Sequence, residues 1–139
     1  MDKIIALGTA ACNFAESLQA LAPTIYEVYK INRSISGENC FSLPDYGTWD
    51  EYDQKDLGDY INFLQNIEGQ KVLITSSGNT SGAVLRMLEH TGPEDTTVMY
   101  IYPDSTVISE DEAKRSKVTF GVLQEFAKSG AKRAYMRKQ

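Results

Sequence analysis

Two stretches of this chain hold residue types that could do chemistry. One is Ser76-Ser77-Gly78-Asn79-Thr80-Ser81-Gly82, and the other is Gly8-Thr9-Ala10-Ala11-Cys12-Asn13. Each follows a short apolar segment, and the chemistry on offer is anion binding. Phosphate recognition needs donors brought together without bulky side chains between them. Gly78 and Gly82 permit close backbone approach, and Ser76, Ser77, Thr80 and Ser81 add hydroxyls. A helix starting at such a loop contributes its free N–H groups and the positive end of its dipole. The second loop has no lysine and so is not a G-x-x-x-x-G-K-[ST] P-loop. The first has only Gly8 and lacks the G-x-G-x-x-G pattern. Either loop can also be a tight connection selected for packing. The run 76–82 nevertheless exceeds the roughly two to six residues that a strand-to-helix connection requires.

The remaining reactive residues read as structural. His90, the single histidine, sits beside Thr91 and Gly92-Pro93, where a helix end is expected and an imidazole complements the dipole. Cys12 lies near an expected helix N-terminus, a place that lowers thiol pKa. It has no histidine close in sequence, and packing among small residues is the favoured reading. Cys12 and Cys40 follow neither metal nor disulfide spacing, so no metal site is expected. The carboxylates of Asp50-Glu51 and Glu110-Asp111-Glu112 fit the first turns of helices.

The elements that must position the two loops follow from periodicity. Lys3 to Leu7, Ile25 to Ile31, Val72 to Thr75 and Thr97 to Tyr102 predict strands, with a short one near Phe41 and a last one at Ala134 to Met136. From Phe14 the spacing turns helical, with Phe14, Leu18 and Leu21 on one face, and Pro23 limits that helix. Thr48, with Glu51 three residues on, starts a second helix. Gly58 weakens its middle, and Gly69 is its expected C-cap. A third helix is expected from about Ser81 to His90, and a fourth from Ser109 to Ser129. Strands apolar on both faces, alternating with helices, predict a doubly wound parallel α/β sheet of Rossmann-like type in one domain spanning 1–139. Ligands of such sheets sit outside the carboxyl ends of the strands, and both loops leave from there.

These residues resemble the nucleotide-binding domain of the tubulin/FtsZ superfamily. The family's first loop is close to G-Q-A-G-x-N or G-Q-C-G-N, against Gly8-Thr9-Ala10-Ala11-Cys12-Asn13 here. Its signature loop, G-G-G-T-G-[ST]-G, aligns with Ser76 to Gly82, where Gly78, Ser81 and Gly82 match outright. The resemblance implies that the second loop cradles the phosphates of GTP or GDP, with or without Mg2+. It implies further that Gly8, Thr9, Ala10, Ala11, Cys12 and Asn13 line the nucleotide. Glu110 and Lys114, with Arg115, stand roughly where the family carries a ribose-side acidic residue and a basic helix.

The resemblance spans the whole chain but about the first half of a full family member. The family's base-contacting central helix and its hydrolysis-driving acidic loop come later. Its Asn for guanine has no counterpart in Met136-Arg137-Lys138-Gln139. The expectation is therefore a nucleotide-binding, self-associating or assembly-forming domain that does not hydrolyse GTP by itself. Two alternatives stand beside it. Thr75-Ser76-Ser77-Gly78-Asn79-Thr80 also resembles the S-x-S-G-x-T phosphosugar loop of sugar isomerase domains. A third reading is a structural protein that binds no small molecule and assembles through Tyr46, Trp49, Tyr52 and Tyr60.

Composition narrows the partners. Fourteen basic against nineteen acidic residues leave a net charge of −5, which argues against general nucleic-acid binding. The acidic middle (Asp45, Asp50, Glu51, Asp53, Asp56, Asp59) and basic end (Lys128, Lys132, Arg133, Arg137, Lys138) read as solvated surfaces. No apolar run approaches the roughly 18 residues of a membrane span, and Met1 to Leu7 lacks a signal-peptide pattern. A cytoplasmic protein with free thiols is expected.

Overall fold

The computed structural model describes residues 2–76, 78–88, 90, 91, 95–102 and 132–137. Its strands are β1 (Asp2–Leu7), β2 (Tyr26–Arg33), β3 (Cys40–Leu43), β4 (Lys71–Thr75), β5 (Thr96–Tyr102) and β6 (Lys132–Arg137). Its α-helices are α1 (Thr9–Leu21), α2 (Trp49–Gln54), α3 (Gly58–Ile61) and α4 (Val84–Leu88), with 3-10 turns at Asn62–Asn66 and Asn79–Ala83. The six strands form one sheet in the order β3-β2-β1-β4-β5-β6, and every pairing is parallel. This is a doubly wound, Rossmann-like α/β fold.

Helices cover both faces, which is why the strands are apolar on both. On one face Ile4, Ala6, Val28, Ile74 and Ile101 pack with Ala11, Cys12 and Ala15 of α1. The small helix residues let α1 lie close to the sheet. On the other face Ile5, Leu7, Leu73, Val98 and Tyr100 pack with Tyr52, Leu57, Ile61, Leu64, Val84 and Met87. Tyr52 is fully buried; its hydroxyl donates to the Pro44 carbonyl at 2.7 Å and accepts from the Tyr46 N–H at 3.0 Å. Burial raises its phenol pKa.

Several element boundaries differ from those expected. The first helix starts at Thr9, so Thr9 to Asn13 are its opening residues and Gly8 alone is the connection. Alanine is the strongest helix former, and Ala10 and Ala11 extend the helix back past Phe14. Of the face shared by Phe14, Leu18 and Leu21, the first two pack half-buried beside the buried Ala11, Cys12 and Ala15, while Leu21, the last helical residue, is 83% exposed. The helix beginning at Thr48 is broken. Thr48 Oγ1 accepts from the Glu51 N–H as expected, but the helix stops at Gln54 and resumes at Gly58, whose N–H donates to Asp56 Oδ1. Gly69, at φ +82°, turns the chain toward β4 and caps no helix. Of the aromatic group, Tyr52 is core, Tyr46 and Trp49 are half-buried, and Tyr60 is 42% exposed. The helix expected at 109–129 lies outside the described residues, as do Ser77, Glu110 and Lys114. No helix among the described residues is long and apolar enough to cross a membrane.

Candidate functional site

The strand order fixes where a crevice can open. From β1 the sheet grows through β2 to β3 on one side and through β4 to β6 on the other. The reversal falls between β1 and β4, where neighbouring connections leave toward opposite faces. The residues at that point are Leu7-Gly8 and Thr75-Ser76, which open the two small-residue stretches. The fold thus brings both stretches to one place on the carboxyl edge.

Gly8 is the pivot. Its φ of +91° lies in the region that favours glycine, and its N–H donates to the Ile31 carbonyl at 2.9 Å. A Cβ there would sit 2.9 Å from Thr80 Oγ1, so the two loops are in contact across the crevice. Gly8 is also the N-cap of α1, and among the described residues no side chain caps that end. Its carbonyl accepts from the Cys12 N–H, and the helix supplies no acceptor to the N–H groups of Thr9, Ala10 and Ala11. A thirteen-residue helix presents its positive end here. Thr9 Oγ1 accepts from Asn32 Nδ2 at 3.1 Å, which ties the helix start to the end of β2.

The second loop divides into two parts. Ser76 and Asn79 are partly exposed and Gly78 is exposed at the crevice edge. Thr80, Ser81 and Gly82 turn inward and are buried. Ser81 Oγ donates to the Gly78 carbonyl at 2.6 Å and accepts from Trp49 Nε1 at 3.0 Å. Asn79 Nδ2 donates to the Gly47 carbonyl at 3.4 Å. Gly82 allows close approach, but the group that approaches is the backbone of α2. A Cβ on Gly82 would lie 2.1 Å from the Trp49 carbonyl oxygen.

Cys12 and Asn13 part company in the same way. Asn13 is exposed on the outer side of α1. Cys12 is 5% exposed and faces the sheet, with Sγ 3.6 Å from the Ala6 carbonyl and 3.7 Å from that of Ile31. Burial pushes its thiol pKa up to about 11. The helix dipole is outweighed because Cys12 sits a full turn inside α1 and loses water to the core.

Residues outside the expected motifs also meet here. Thr75, fully buried at the end of β4, has a hydroxyl with no hydrogen-bond partner among the described residues. Such a group costs about 1–3 kcal/mol unless something satisfies it. Asn32 closes the β2 side of the crevice, and beyond it Arg33 pairs with Asp45 at 3.2 Å. The available signal was positional, since Asn32 and Thr75 lie at strand carboxyl ends. Among the described residues no group of three or more His, Cys, Asp or Glu side chains could hold a metal ion. In comparisons with known proteins, the chain matches no family model and no curated protein.

Proposed function

We propose that this chain is a tubulin/FtsZ-like guanine-nucleotide-binding domain that serves assembly. The observation that carries the reading is the uncapped N-terminus of α1 at the sheet reversal, in contact through Gly8 with the loop after β4. That place favours a phosphate group for two physical reasons: free N–H donors and the helix dipole. The N–H groups of Thr9, Ala10 and Ala11 would hold the phosphates from one side. Ser76, Gly78 and Asn79 would meet them from the other. Bound nucleotide supplies phosphate charge, which those donors neutralise. The choice of guanine rests on the resemblance of Gly8 to Asn13 and Ser76 to Gly82 to the family's two loops.

Thermal denaturation with GTP, GDP and a hexose phosphate tests the reading. GTP or GDP at about a hundredfold excess over its Kd should raise the melting temperature by about 5–10 °C. Gly8→Ala should abolish that rise. Stabilisation by the hexose phosphate alone would transfer the site to the sugar isomerase reading. No rise with any of the three would leave the structural reading.

A further inference from the structure

The loop after β4 is gripped by the start of α2. Asn79 Nδ2 donates to the Gly47 carbonyl at 3.4 Å, Trp49 Nε1 donates to Ser81 Oγ at 3.0 Å, and the backbone of Gly82 lies against the Trp49 carbonyl. The contact between Trp49 and Ser81 sets a direction. An indole N–H donates and never accepts, so Ser81 Oγ must be the acceptor. The one proton of the Ser81 hydroxyl is thereby left for the Gly78 carbonyl, 2.6 Å away. That carbonyl also accepts from the Ser81 N–H at 3.0 Å.

A carbonyl held twice fixes the peptide unit to which it belongs. Gly78 stands at φ −65° and ψ 172° ahead of the 3-10 turn, and the Gly78–Asn79 peptide is trans. In a trans peptide the N–H points opposite the C=O. With the Gly78 carbonyl turned toward Ser81, the Asn79 N–H points out of the turn. Asn79 is the first residue of that turn, so no carbonyl within it accepts this N–H. Gly78 is exposed and Asn79 partly so, which leaves the peptide open to a ligand. The flipped peptide would instead present its carbonyl, the negative end of its dipole, to an approaching anion.

We propose that Trp49 is a positioning residue for phosphate recognition: acting through Ser81, it holds the Gly78–Asn79 peptide with its N–H presented to a phosphate at the crevice. The inference rests on the reading of that crevice as a nucleotide site, and it adds a residue that belongs to neither loop. Trp49 itself touches no phosphate.

Isothermal titration with GTP, GDP and inorganic pyrophosphate, joined to amide NMR of the full chain, tests it. In the parent, saturating ligand should move the Asn79 amide proton downfield. Trp49→Phe keeps an aromatic ring without the donor, and should weaken the ligand about tenfold at a temperature where the variant is fully folded. Ser81→Ala should weaken it as much. The double variant should lose no more than Ser81→Ala alone, since both changes cut one relay. Trp49 is the single tryptophan, so its indole N–H resonance in Ser81→Ala reads the lost hydrogen bond directly. A role in stability alone would lower the melting temperature of Trp49→Phe and leave its affinity unchanged, which would overturn the proposal. So would an unmoved Asn79 amide in a parent that binds, or fully additive losses in the double variant. If pyrophosphate shows the expected pattern and GTP and GDP bind no more tightly, the guanine reading fails and the relay stands. If the parent binds none of the three, both fail.

Discussion

Cys12 is the residue at which position within an element decides chemistry. Near a helix N-terminus a thiol is expected to acidify, yet its folded pKa is raised from 9.0 to about 11, chiefly by desolvation. The fold therefore binds this proton more tightly than the unfolded chain does. The stabilisation linked to it is complete below pH 9 and is lost as pH rises through about 11. Its size is about 2–3 kcal/mol, from the cost of 1.36 kcal/mol per pH unit. Urea denaturation between pH 8 and 11 should show that loss in the parent chain. Tyr29 titrates in the same region, at about 12, so the difference between the parent and Cys12→Ala isolates the thiol. An identical pH dependence in both proteins would refute the assignment.

Elements were legible where burial on two sides left a strong pattern, and misread where packing chose the boundary. All six strands follow from apolar runs, including the short ones at Phe41 and Ala134. The start of α1 was missed because periodicity first becomes visible at a large residue, Phe14, whereas Ala10 and Ala11 carry no such mark. Gly58 signalled a break, and the break falls immediately before it, between Gln54 and Gly58. The second loop shows the limit most clearly: nothing local in Ser76 to Gly82 reveals that its last residues serve α2. Gly82 and Gly78 look alike in sequence but differ in surroundings. Gly82→Ala places a methyl against the Trp49 carbonyl and should cost about 3 kcal/mol or more in urea denaturation. Gly78→Ala meets nothing within 4 Å and should cost under about 0.5 kcal/mol. Equal losses at the two positions would mean that α2 does not seat on this turn.

At the scale of the whole molecule the sheet order sets the stability gradient. β1 and β4 are paired on both sides at the centre, while β3 pairs only with β2 at one edge. Amide exchange in β1 and β4 should therefore require global unfolding, at about 5–15 kcal/mol, and β3 should exchange through cheaper local opening. Protection in β3 equal to that in β4 would contradict this. The same centrality has a consequence for how the protein comes into being. Ile4 lies opposite Val72, so the two walls of the crevice are drawn from distant parts of the chain. A ribosome must deliver β4 before the crevice has a second wall, and closing so long a loop is entropically slow. Ligand recognition at that crevice would then report that the nascent chain has finished folding its centre.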